Sequence, residues 1–166
     1  MVESGSIDFV FSFDSLVHAE ADVMASYSRE IARVLKRDGS AFIHYSNFES
    51  VVRHSLLYPV GKRVRKVLTR IGGRVSKAVA NIHYAPIWRA STMSADKMRA
   101  FAADAGMSCM KQEIIPWGNV RRLTDCMSTI VNTPGGSCEV IKNPRFMVEA
   151  AAIKRLSSIG LRRDEK

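Results

Sequence analysis

Histidine is the side chain best suited to moving a proton near neutral pH, and four of the 166 residues are histidines. His18 closes the stretch "SIDFVFSFDSLVH" (Ser6 to His18), and His44 sits in "SAFIHYSN" beside Tyr45 and three residues before the strand-end Asn47. His83 and Tyr84 stand shortly before Trp88 and Arg89. None has the carboxylate or Cys/His spacing of a metal site, so no metal is expected. Asp14, Ser15 and His18 are the residue types of a nucleophile triad, but neighbours in one loop rarely reach its geometry and no G-x-S-x-G elbow is present. An imidazole titrates in the range needed of a general base, and Asn47 at a strand mouth could hold a hydroxyl by hydrogen bonds. Each residue also suits a plainer role. His18 suits a helix cap, His44 a hydrogen-bonded core position, Asn47 a turn, and residues 83–89 the packing of an irregular segment.

The elements that must position these groups follow from hydrophobic spacing. Ile7, Phe9, Val10, Phe11 and Phe13 crowd into seven positions, the composition of a strand buried on both faces in a parallel sheet. Val23, Tyr27, Ile31, Val34 and Leu35 recur at helical spacing, which predicts a helix over about 20–37 stopped by Asp38-Gly39. "SAFIHYSN" (40–47) then reads as a second strand. Strand, helix, strand at this spacing is a right-handed parallel crossover. Ligands in such sheets bind outside the carboxyl ends of the strands, which here means Phe13, Asp14, Ser15, Leu16 and His18. Farther on, Ser94 is a plausible N-cap for a helix with Met98, Phe101, Ala102 and Ala105 inward, stopped at Gly106. "MSCMKQEII" and "DCMSTIVN" give two strands, "TPGGS" a turn, and a last helix starts near Pro144.

In this order the motifs resemble the second half of a class I S-adenosylmethionine-dependent methyltransferase. They are Asp8 within "IDFVFSF", the loop "DSLVH", the helix end "ARVLKRDG" before "SAFIHYSN", and "WRASTMSADKMRAFAADAGM" leading into the closing strand pair. The resemblance implies an α/β fold, a partial Rossmann-like sheet whose strands run 4-5-7-6 with the last two an antiparallel pair. It implies one domain over 1–166 carrying a basic helical insertion at 50–93. It implies that Ser12, Phe13, Asp14 and Ser15 face the methionine part of S-adenosylmethionine and that His18 lies near the transferred methyl group. His44, Asn47, His83 and Tyr84 would then meet a small-molecule acceptor, methylated on oxygen and sugar-like in kind. The ten glycines never form G-x-G, so the glycine turn and ribose carboxylate that hold the donor in the family have no counterpart in the sequence. The chain is therefore expected to begin at the family's fourth strand, to bind the donor weakly by itself, and to self-associate along Ile7–Phe13.

Charge sharpens the choice of partner. Of 25 cations, Arg53, Lys62, Arg63, Arg65, Lys66, Arg70, Arg74, Lys77 and Arg89 fall between Ser50 and Ala95 with no acid among them, which accounts for the whole net charge of +9. Val60, Val64, Val67, Leu68, Ile71, Val75 and Val79 alternate with them as a basic amphipathic helix, interrupted at Gly72-Gly73. Over a pocket, that segment favours an anionic acceptor. As a free surface, it gives the rival reading of a non-catalytic module docking on anionic membrane or another polyanion. Specific nucleic-acid binding is not expected, because no reader motif is present and aromatics are sparse over 60–80. Cys109, Cys126 and Cys138 are odd in number and lack C-x-x-C spacing, so reduced, partly buried thiols are expected. Nothing in the opening residues reads as a signal segment and no apolar run nears the ~20 residues of a spanning helix, so a cytoplasmic location is expected.

Overall fold

The computed structural model describes residues 2–53, 88–118 and 122–161. The elements are β1 (Ile7–Leu16), α1 (Ala21–Val34), β2 (Leu35–Ser46), α2 (Phe48–Arg53), α3 (Ala95–Asp104), β3 (Ser108–Ile115), β4 (Asp125–Val131), β5 (Glu139–Lys142) and α4 (Phe146–Leu161). They form one five-stranded sheet in the order β1-β2-β4-β3-β5. β1 pairs parallel with β2, and β4 runs antiparallel to both β2 and β3. The first four strands thus stand in the order expected of strands 4-5-7-6, with the antiparallel pair closing a partial Rossmann-like sheet. A fifth strand, β5, adds to β3 in parallel beyond the expected set.

Helices α1 and α3 cover one face of the sheet. Their apolar side chains meet Ile43, Tyr45 and Ile130, all at 0% exposure, with Met24 from α1 and Met98 from α3. Burial of each such side chain is worth about 1.5–3 kcal/mol. Ser94 caps α3 as its sequence predicts, its Oγ accepting from the Lys97 N–H at 3.3 Å, and Gly106 after the helix has φ 77°, the left-handed conformation that suits glycine.

Helix α1 differs from its pattern in two ways. Its inward line is Met24, Ser28, Ile31 and Val34, while Val23 and Tyr27 are exposed. Ser28 tolerates burial because its hydroxyl donates to the Met24 carbonyl at 2.9 Å. The helix also stops at Val34, before Asp38-Gly39. Its end is held by Asn132, whose Nδ2 donates to the carbonyls of Ala32, Leu35 and Lys36 at 3.2, 2.9 and 3.1 Å. Residues 35–40 then run as strand. Leu35 and Ser40 oppose Ile7 and Phe9, so the Lys36–Gly39 stretch bulges out of the ladder. A Cβ on Gly39 would lie 3.0 Å from the Lys36 carbonyl and 3.1 Å from that of Ile7, so only glycine fits this turn without displacement.

The composition of β1 is that of a buried strand, but it stands as an apolar edge among the described residues: none of its ten residues is buried, and Phe9, Phe11 and Phe13 are 54%, 64% and 42% exposed. It ends the sheet among the described residues, and the face bearing these rings lies opposite α1 and α3. Phe11 stacks on Phe13 and on Phe42, the latter with centroids 5.6 Å apart, and Phe9 tilts against Phe11. The basic segment from Val60 to Val79 lies outside the described residues, as do His83 and Tyr84.

Candidate active site

The carboxyl end of β1 is deformed where function was expected. Ser12 pairs with Ile43 but Leu16 with Tyr45, so two extra residues are accommodated across Phe13–Ser15. Asp14 takes φ 56°, the only positive φ among the described non-glycine residues. Asp is one of the few side chains that visit this region, and the surroundings hold it there. Its N–H donates to His44 Nδ1 at 3.1 Å, and its carboxylate accepts from Arg89 Nη1 at 3.3 Å.

Those two contacts belong to a closed circuit. His44 Nε2 meets Asp125 Oδ2 at 3.0 Å, and Arg89 Nη2 lies 2.8 Å from the same oxygen. His44 and Asp125 are fully buried and the Arg89 side chain is at 0% exposure, while Asp14 is half open at 49%. Because a backbone N–H can only donate, His44 Nδ1 must accept, and the ring is the Nε2–H tautomer donating to Asp125. The Arg89–Asp125 contact is close in distance but off the hydrogen-bond line. Arg89 Nη2 and Nε, Asp125 Oδ1 and the Thr124 hydroxyl have no hydrogen-bond partner among the described residues. Coulombic attraction, not hydrogen bonding, holds that pair.

Aromatic rings enclose the circuit. The Arg89 guanidinium lies 5.5 Å from the Trp88 ring centroid and 5.6 Å from that of Trp117. Phe13 and Trp117 each lie 4.8 Å from the His44 ring. With Arg89 at +1, Asp14 and Asp125 at −1 each and His44 uncharged, the formal charge of the cluster is −1.

Segment 88–94 brings Trp88 and Arg89 here, and it is anchored along its length. The Glu20 carboxylate accepts from the Ser91 and Thr92 N–H groups at 3.1 and 2.9 Å and from the Thr92 hydroxyl. Partial burial opposes ionisation of Glu20, but the bonds from Thr92 and Ser91 together hold its carboxyl below the usual range. Ala90 N–H donates to the Val17 carbonyl at 2.9 Å, and Ser46 Oγ donates to the Ala90 carbonyl at 2.7 Å.

His18 is exposed, its ring stacks at 5.7 Å on Trp88, and its Nδ1 bonds the Trp88 carbonyl. A carbonyl only accepts, so Nδ1 carries the hydrogen. In the neutral ring Nε2 is then a free lone pair, and no hydrogen bond engages it among the described residues. Ser12 and Ser15 share a hydroxyl contact of 2.7 Å on the rim.

Asn47 stands apart from this cluster. Its Nδ2 donates to the Leu123 carbonyl at 3.0 Å and its Oδ1 accepts from Ser50 Oγ and the Ala95 N–H. It lines a groove of about 610 Å³ together with Asp96, Gln112, Arg122 and Lys142. Tyr45 points to the opposite face from His44. Its hydroxyl bonds Ser128 Oγ at 2.7 Å and accepts from Gln112 Nε2, which also donates to the Ala95 carbonyl and so fastens α3 to the sheet.

The structure thus brings Phe13, Asp14 and His44 together, with Ser12, Ser15 and His18 around the same strand end. Asp125, Arg89 and Trp117 complete the cluster. Sequence reading passed over Asp125 and Trp117, although an acid as the first residue of the strand at Asp125 was a usable signal. Among the described residues no group of three His, Cys, Asp or Glu could hold a metal ion.

Residues 1–43, which contain β1, α1 and most of β2, match the family model of a methyltransferase domain. The match covers the Asp8 strand, the "DSLVH" loop and the "ARVLKRDG" turn on which the resemblance to class I S-adenosylmethionine-dependent methyltransferases was read. No curated protein sequence matches the chain. Among solved structures, a putative sarcosine dimethylglycine methyltransferase from Galdieria sulphuraria is similar at 15% identity with a TM-score of 0.47, covering 79% of this chain and 55% of that one. The PH0226 protein from Pyrococcus horikoshii OT3 is similar at 16% identity and a TM-score of 0.44, covering 78% and 53%. A chain from the complex between a Haloferax volcanii methyltransferase activator and the putative methyltransferase reaches 18% and 0.46, covering 82% and 58%. The chain thus spans little more than half the length of these structures. No helix among the described residues is long and apolar enough to cross a membrane.

Proposed function

We propose that this chain forms the acceptor side of an S-adenosylmethionine-dependent methyltransferase that methylates a hydroxyl oxygen of a small, sugar-like molecule. The observation that carries the reading is the cluster at the end of β1, with a formal charge of −1 and exposed rings from Phe13 and Trp88 beside the half-open Asp14. A carboxylate and aromatic faces suit a cation, and the donor is a sulfonium. S-adenosylmethionine, when bound, supplies a methyl group on a positively charged sulfur. The backbone and hydroxyls of Ser12–Ser15 would hold its methionine part. None of the described residues is assigned to its ribose.

The chain's own residues then divide the work. The circuit of His44, Asp125 and Arg89 fixes the left-handed turn at Asp14, so the rim needs no reorganisation to receive a ligand. His18, its Nδ1 hydrogen held by the Trp88 carbonyl, presents Nε2 to take the acceptor's hydroxyl proton, a contribution of about 10²–10⁴ in rate for a positioned base. Trp88 and Trp117 keep water from the Arg89–Asp125 pair. Asn47, in its groove, would bind the distal part of the acceptor. The cations that motivated an anionic acceptor, and those behind the rival membrane-docking module, lie mainly at 62–77 outside the described residues.

The test is NMR titration of the isotopically labelled full chain with S-adenosylmethionine and, separately, with its neutral product S-adenosylhomocysteine. Amide shifts confined to Ser12–His18 and Trp88–Arg89 are expected, with weaker than micromolar affinity and tighter binding of the charged donor. No shift at these residues up to millimolar ligand, or tighter binding of the neutral product, would overturn the reading.

A further inference from the structure

At the opposite end of the sheet from Asp14, two thiols face each other. Cys109 in β3 is 5% exposed, Cys138 immediately before β5 is partly exposed, and their sulfurs are 3.6 Å apart. Formation of a disulfide requires about 2.05 Å between sulfurs, so roughly 1.5 Å of approach is needed. The surroundings permit it. Cys138 follows Gly135 and Gly136, both at positive φ, in a turn that carries no regular structure, and β5 is only four residues long. Cys126 lies on the neighbouring strand with its sulfur against the Tyr45 hydroxyl, so it is already engaged elsewhere.

We propose that Cys109 and Cys138 form a site of reversible oxidation, closed to a disulfide by small disulfide oxidants of the glutathione type. The partly exposed Cys138 reacts first. Its thiolate attacks one sulfur of the oxidised glutathione, releasing one reduced glutathione and leaving a mixed disulfide on Cys138. The Cys109 thiol then loses its proton and attacks the Cys138 sulfur, and the second reduced glutathione leaves. Two protein thiols are oxidised by two electrons and one oxidant is reduced to two thiols. Burial, together with the contact from Cys138, pushes the Cys109 thiol up to about 12, so the second step is the slow one. The bond would staple the Asn132–Cys138 turn to β3 and close a loop containing β4. It would thereby reduce the freedom of the unfolded chain and raise the thermal midpoint.

The full chain is incubated with oxidised glutathione, blocked with an alkylating reagent and examined by intact-mass and peptide mass spectrometry. Expected, after subtraction of any label on Cys126, is a monomer lighter by about 2 Da, the mass of two hydrogens, with a Cys109–Cys138 crosslink. Its thermal midpoint should rise and should return on addition of dithiothreitol. The crosslink should persist in Cys126→Ser and vanish in Cys138→Ser, each checked for folding by circular dichroism. Glutathione retained on Cys138 without closure, a crosslink to Cys126, or crosslinks only between chains would each overturn the proposal.

Discussion

The backbone N–H of Asp14 donates to Nδ1 of His44 at 3.1 Å, across 30 residues of sequence. One bond thereby settles two things, the left-handed turn at the end of β1 and the tautomer of a buried imidazole. Because Nδ1 accepts, Nε2 must donate, and Asp125 is where it donates.

Removal of Asp125 should therefore be costly. Asp125→Ala leaves the buried His44 Nε2–H without an acceptor and the Arg89 guanidinium with only the half-open Asp14 opposite it, and loss of one partner of a buried pair typically costs about 3–5 kcal/mol. Asp125→Asn keeps an acceptor for His44 but not the charge opposite Arg89, so it should fall between Ala and wild type. Urea unfolding at neutral pH measures both. Wild-type midpoints for both variants would show that the circuit contributes nothing to stability.

In methyl-transfer assays of the chain joined to a donor-binding half of the same fold, His18→Ala should lower turnover by about 100-fold or more while donor affinity is unchanged. The ring is exposed and bonds only the Trp88 carbonyl, so its loss should disturb the fold little. A variant with full turnover would remove His18 from the chemistry.

Stability should fall on the alkaline side. Burial pushes the Cys126 thiol up to about 12 against an ordinary value of 9.0, and it raises the Tyr45 hydroxyl well above its ordinary 10.0. Below about pH 9 both folded and unfolded chains keep these protons, and there is no penalty. As pH rises past 9 the unfolded chain releases them first, so stability declines continuously towards pH 12. Urea midpoints at pH 8, 9 and 10 should decrease in that order, with a shallower decline in Cys126→Ala. A flat profile would contradict the burial of these groups.

The rings of Phe9, Phe11 and Phe13 on a strand that ends the described sheet should drive association between copies. Sedimentation at micromolar concentration should show oligomers. Phe11→Lys places a charge at the most exposed of the three rings and should shift the protein to monomer. A sharp wild-type monomer would count against this.

The sequence is most legible where local chemistry decides. Helix α3 runs from its Ser94 cap to Gly106 as expected, because cap and stop lie within a few residues of the helix they terminate. The strand order was legible through the resemblance, since the motifs carry a topology with them. The end of α1 was not, because the group that ends it, Asn132, comes from far along the chain. β5 was missed because four residues with little burial leave no pattern to read. At the site, the residues on one loop, Ser12 to His18, were found together. Asp125 was not, because it reaches His44 only through the pairing of Ser46 with Asp125 across β2 and β4. Arg89 and Trp117 arrive from two further segments.

Asn132 also bears on the order in which the molecule can be completed. Its amide gathers three carbonyls that lie 96 to 100 positions earlier in the chain, so the corner where α1 turns into β2 is made from both halves of the protein. Local collapse can form the helix within microseconds, but closure over such a separation is slower. During synthesis the α1–β2 corner leaves the ribosome early and must wait, its carbonyls bonded to water, until β4 has emerged to finish it.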